Sequence, residues 1–271
     1  MPFIGDNDRR LFYDISGKGT MALLFLHGLG GDSRIWKYQA DYFRKKHQVI
    51  TVDLFGHGRS AKAIDPVYAP RFDAEMAVEL MIEKVKRPFF AVGHSQAGMV
   101  LQEMARLCGP ELQGLIFVDC VFPGFDDVVT TRMEFAKMML NYADNRLAVE
   151  TRQYYRSMLS ADISPEAEAL ILAPLDRCDF RWLFESAAGI EKFIRKYNPR
   201  DIPIPPNRRV FIVEAGYGIG QSLRQSWVHH FRQARYYLFE FSHHFFFVTE
   251  NGQFNSVLED FIRDEEQGRP Y

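Results

Sequence analysis

Pro88-Phe89-Phe90-Ala91-Val92-Gly93-His94-Ser95-Gln96-Ala97-Gly98-Met99-Val100-Leu101 reads as a strand, a tight turn and the start of a helix. A short apolar run bounded by glycine fits a strand buried on both faces of a parallel sheet. The turn holds a serine among small residues, which let the backbone bend sharply and lift the hydroxyl above the sheet. A serine so placed can meet a carbonyl on one side and a histidine on the other. Ser95 is therefore the candidate nucleophile, although the usual G-x-S-x-G spacing reads G-x-S-x-A here.

Outward from this turn, apolar runs alternate with helical patterns. The runs at 10–15, 21–26, 48–52, 89–92, 115–119, 210–214 and 236–241 read as strands. Windows 33–45, 73–85, 96–107, 221–232 and 253–263 read as helices. Such alternation predicts an α/β fold, a mostly parallel central sheet flanked by crossover helices. The rhythm breaks between Phe122-Pro123-Gly124 and Pro203-Ile204-Pro205-Pro206, where several helix-like stretches occur and no convincing strand. This segment is too long for a plain loop. The expected organisation is a core of 1–122 and 203–271 with an inserted helical cap at 123–202. The cap is rich in Met, Phe and Tyr (Met133, Phe135, Met139, Tyr154, Tyr155 and Phe184 among them), which predicts a partly apolar cleft between cap and sheet.

The bulk properties narrow the function. The chain has 271 residues, 47% of them apolar, enough for one large core. A net charge of −2 with both signs interspersed points away from nucleic acid and from an anionic membrane. Cys108, Cys120 and Cys178 are widely spaced and form no metal or redox motif, which favours a reducing compartment. No apolar run reaches the length of a membrane span and the first residues do not resemble a signal peptide, so the expectation is a soluble, cytoplasmic protein with a small-molecule substrate.

Two further loops bear on the site. Leu23-Leu24-Phe25-Leu26-His27-Gly28-Leu29-Gly30-Gly31 is a strand entering a glycine-rich loop, able to turn a backbone N–H towards a developing oxyanion. The amides of Leu29 and Gln96 form the natural donor pair. Asp53-Leu54-Phe55-Gly56-His57-Gly58-Arg59-Ser60 reads as structural, with Asp53 and Ser60 bonding the loop's own backbone.

In this order, H-G-x-G-G, D-x-x-G-x-G-x-S, G-H-S-x-x-G, a helical insertion and a late histidine, the chain resembles the α/β-hydrolase superfamily from about residue 10 to 263. The resemblance implies a nucleophile–histidine–acid triad, a mobile cap and no metal or organic cofactor. It leaves the substrate open, because one scaffold hosts many chemistries. Phe241-Ser242-His243-His244-Phe245-Phe246 looks like the family's small-small-histidine-aromatic signature; the aromatic follower favours His244 as base, with His243 the alternative.

The acid departs from the commonest pattern of the family, in which an aspartate follows the next-to-last strand. Gly218 stands near that place, and Glu214 sits early, at the strand end. Asp119 is the stronger candidate on geometry. A helix of roughly 13 residues after Ser95 descends about 20 Å and the strand ending at Asp119 climbs back by a similar distance. The superfamily's haloalkane dehalogenases and cofactor-free ring-cleaving dioxygenases resemble this arrangement. A dehalogenase needs a carboxylate in place of Ser95, and such dioxygenases tend to carry a second histidine where this chain has Gln96. The leading expectation is a serine hydrolase of an ester, thioester or lactone with a small, largely apolar substrate. A cofactor-free dioxygenase and a non-catalytic ligand-binding protein are the alternatives.

Overall fold

Eight strands order as β1-β2-β4-β3-β5-β6-β7-β8 in one sheet. Their spans are β1 Phe3–Ile4, β2 Leu11–Ser16, β3 Ala22–Leu26, β4 Gln48–Asp53, β5 Phe89–His94, β6 Leu112–Val118, β7 Arg209–Ala215 and β8 Arg235–Phe239. In the computed structural model, the residues described are 2–6, 9–62, 69–120, 126–188, 208–217 and 234–267. β1 and β2 pair antiparallel, as do β2 and β4; every other pairing is parallel.

The continuous apolar runs make sense once both faces are covered. Along β3, Leu24 and Leu26 enter one core cluster while Leu23 and Phe25 enter the other, as side-chain alternation requires. The first cluster is closed by helices α2 (Ala69–Leu80) and α3 (Ala97–Leu107), which contribute Ala74, Ala77, Val100, Leu101 and Met104. The second is closed by α1 (Lys37–Phe43) and by the C-terminal helix, through Phe43, Phe254, Leu258 and Phe261. Fully burying a side chain of this kind contributes about 1.5–3 kcal/mol.

Between β6 and β7 the described residues form α4 (Asp126–Met139), α5 (Asp144–Ser157), α6 (Pro165–Leu172) and α7 (Phe180–Ala188), with no strand among them. Ala136, Met139, Leu147, Leu183 and Phe184 make a small core of their own there. After β8 come α8 (Phe246–Thr249) and α9 (Asn251–Glu266).

The strands follow the sequence expectations closely, with instructive differences. β1 is too short to show a pattern in sequence. β6 begins at Leu112 because the pairing shifts register: Phe89 faces Leu112 and Phe90 faces Gly114, leaving Gln113 as the extra residue that interrupts the apolar run. The window 33–45 opens as a 3-10 turn, Ser33–Trp36, capped by the Asp32 side chain accepting from the Arg34 N–H. The helix expected at 221–232, the proline-rich re-entry at 203–206 and Gly218 lie outside the described residues.

Candidate active site

β5 ends at the turn that carries Ser95. The serine has φ 55, a left-handed conformation that costs about 1–3 kcal/mol for a residue with a side chain. Its backbone is held there by one tertiary and one local bond: the Ser95 N–H donates to the Val118 carbonyl at 3.0 Å, and the Gly98 N–H returns to the Ser95 carbonyl at 3.1 Å. The small neighbours are required by contact. A Cβ on Gly93 would lie 2.9 Å from the Leu101 side chain, and one on Gly28 would lie 2.9 Å from the Ser95 Cβ.

β6 pairs beside β5 with Val118 opposite His94, so Asp119 emerges at the level of Ser95. Asp119 is fully buried and also left-handed, with φ 41. Its N–H donates to the Val213 carbonyl at 2.8 Å, and Oδ1 accepts from the Ala215 N–H at 3.4 Å. Oδ2 lies 2.5 Å from His244 Nδ1. A carboxylate there accepts the Nδ1–H and leaves Nε2 unprotonated, the tautomer a general base needs.

His244 is set from its other side by His94. The buried His94 Nε2 lies 3.1 Å from the His244 carbonyl oxygen, which can only accept, so His94 carries its proton on Nε2. The two rings pack at 4.3 Å between centroids. Burial, reinforced by His244, holds the His94 pKa well below its ordinary value, so the ring is neutral. Ser95 and His244 both line one cavity of about 90 Å³, together with Leu29, Gln96, Met99, Phe135, Tyr154, Tyr155 and Phe184.

The glycine-rich loop after β3 is held by buried neutral histidines. His27 Nδ1 donates to the Gly28 carbonyl at 2.7 Å and its Nε2 accepts the Leu54 N–H at 2.9 Å. The Gly31 N–H also donates to that Gly28 carbonyl, at 3.1 Å. In a trans peptide the C=O and N–H point in opposite directions. Fixing the Gly28 carbonyl therefore turns the Leu29 N–H the other way. The next peptide is clamped at both ends. The Gly30 N–H donates to His57 Nε2 at 3.0 Å, and the Tyr155 hydroxyl donates to the Leu29 carbonyl. Among the described residues, neither the Leu29 nor the Gln96 amide donates to a protein acceptor. Gln96 is the N-cap of α3, so its amide also sits at the positive end of a helix dipole.

A hydroxyl, an imidazole paired to a buried carboxylate and two undonated amides thus meet at one apolar cavity. A family model for the alpha/beta hydrolase family matches residues 23–256. The chain belongs to the alpha/beta hydrolase family. It is similar to a protein of Azorhizobium caulinodans named a carbamate hydrolase, with 36% identity over 111 residues, 41% of each chain. The chain thus spans less than half the length of that relative. A pimeloyl-[acyl-carrier protein] methyl ester esterase of Legionella pneumophila is 24% identical over 92% of this chain and 98% of its own. In structure, a thermophilic esterase from Thermogutta terrifontis superposes with a TM-score of 0.75 over 94% of both chains at 18% identity, a likeness of fold.

The Asp53 carboxylate accepts the Arg59 N–H and the Ser60 hydroxyl donates to the Asp53 carbonyl, so the loop bonds itself, and the carboxylate also accepts the Ser33 N–H of the neighbouring loop. His243 packs on Tyr217 rather than on the Asp119–His244 pair. Glu214 points to the opposite sheet face from Val213 and Ala215 and accepts from the Tyr236 hydroxyl at 2.7 Å. Among the insertion's aromatic and methionine residues, Phe135, Tyr154, Tyr155, Met158 and Phe184 line the cavity, whereas Met138 is exposed and Met139 is core. The sequence assigns His27, His57, His94 and Tyr155 no specific task. Their only signal is adjacency to the glycine loop and the serine turn.

Proposed function

We propose that this hydrolase cleaves an ester-like bond of a small, largely apolar substrate through Ser95, His244 and Asp119. The 2.5 Å contact between Asp119 Oδ2 and His244 Nδ1, beside a serine on a left-handed turn, carries the reading. Ser95 Oγ attacks the acyl carbon while His244 Nε2 takes its proton. Asp119 holds the imidazole and stabilises its charged form. The Leu29 and Gln96 amides receive the oxyanion, each supplying about 3 kcal/mol of barrier lowering. A water activated by His244 then releases the acyl group.

The relatives named as esterases and a carbamate hydrolase support acyl transfer as the reaction class. The lining, in which none of the described residues is a lysine, an arginine or a carboxylate, supports an apolar acyl group. We further assign 123–202 as a cap, since helices from that span supply part of the cavity wall.

A fluorophosphonate probe is expected to label Ser95 in the native protein and not in Ser95→Ala. Turnover of an ester and thioester panel graded by acyl length should vanish in the same variant. Retained turnover in Ser95→Ala, or oxygen consumption without ester cleavage, overturns the assignment.

A further inference from the structure

We propose that the alcohol portion of the ester occupies a second cavity, behind Met158 and Phe245, and that this cavity selects neutral or cationic hydrogen-bonding alcohols over anionic ones. The inference rests on the hydrolase reading above and deepens it.

The catalytic cavity measures about 90 Å³, while the second measures about 460 Å³. Met158 and Phe245 line both, so the two spaces share a wall. Proton transfer sets the direction in which the alcohol leaves. As the tetrahedral adduct collapses, the carbon–oxygen bond to the alcohol breaks and its electron pair stays on the alcohol oxygen. That oxygen takes the proton from His244 Nε2, and the acyl group remains on Ser95 Oγ. The alcohol must therefore lie on the His244 side of the acyl carbon. Ser242, His243 and Phe245, which flank His244 in the chain, all line the second cavity. Met158 is half-buried at the C-terminus of α5, and an unbranched thioether re-packs readily, so it can yield to a bound group.

The chemistry of the wall defines the ligand. Ser160, Ser164 and Asn251 offer hydrogen bonds, Asp162 and Glu250 supply negative charge, and His243 adds an imidazole, with no lysine or arginine among the described lining residues. The Ser160 hydroxyl donates to Asp162, which holds that carboxylate below the usual range and keeps it ionised. A phosphate or carboxylate on the alcohol would meet repulsion from these two carboxylates, with no lysine or arginine among the described lining residues to answer it.

Butyrate esters of methanol, glycerol, choline and glycerol phosphate test this. In the native protein, kcat/KM for the glycerol and choline esters should exceed that for the glycerol phosphate ester at least tenfold. Two cavity-filling variants, Ser160→Trp and Ile163→Trp, should each lower the glycerol-to-methyl ratio of kcat/KM about tenfold. The ratio is taken within each protein, so a general loss of activity does not enter. Equal use of the phosphate ester, or ratios unmoved by both variants, overturns the second cavity as a subsite and leaves the hydrolase reading standing. Failure of the native protein to hydrolyse any ester, with Ser95 unlabelled by fluorophosphonate, overturns both.

Discussion

The Tyr155 hydroxyl, on α5 between β6 and β7, donates to the carbonyl of Leu29, in the glycine-rich loop after β3. The same peptide unit is held at its other end by the Gly30 N–H on His57. One clamp comes from the sheet's own loops and the other from the insertion. The fit is close: a Cβ on Gly30, which has φ +71, would lie 2.4 Å from the Tyr155 oxygen.

Tyr155→Phe keeps the ring and removes the donor. It should lower kcat roughly 3- to 30-fold with KM little changed, less than the loss of a whole oxyanion donor at about 2.7–4 kcal/mol. The accompanying stability loss should be about 1 kcal/mol, read from denaturant unfolding. An unchanged kcat would show that the loop holds its geometry without the insertion.

Asp119→Asn should cut kcat by about 10⁴, because the amide can no longer impose the required histidine tautomer. Glu214→Gln should keep kcat within about twofold, since its carboxylate lies on the other face of the sheet with Tyr236. His243→Ala should likewise retain turnover that His244→Ala loses. Steady-state kinetics on one ester, with circular dichroism to verify folding, decides all of these. The reverse ranking of Asp119 and Glu214 would return the acid to the next-to-last strand.

His57 predicts how stability depends on pH. Burial, with His27 adding to it, pushes its pKa down to about 3, from an unfolded value of 6.5. As pH falls below 6.5, the unfolded chain takes up a proton that the folded chain refuses. Stability is therefore fully present above that pH and is lost towards about 3, by about 1.4 kcal/mol per pH unit for this one group. Asp73, pushed well up by desolvation, acts in the opposite sense, so the isolating measurement is a variant. Unfolding of His57→Gln between pH 6 and 4 should show a slope shallower by about that amount. Equal slopes would mean that His57 takes up its proton in the folded state.

The strands other than β1, the serine turn and the glycine loop are legible in the sequence. Their signals are local: apolar runs long enough for a doubly covered strand, and glycines where a Cβ would collide with Leu101 or with Ser95. The placement of Asp119 beside the site also follows from the sequence, because one helix down and one strand up return the chain to the height of the nucleophile. The aromatic residue after His244 favours it over its neighbour in the sequence, whereas its contact with Asp119 is a product of the tertiary structure. The two histidines are chemically identical, and the surrounding fold brings His244 to a carboxylate 125 residues away in the chain. The same holds for Tyr155, His94 and His27. Each acts through a peptide or ring brought to it by folding, and a hydrogen bond between distant parts of a chain leaves no periodicity to read.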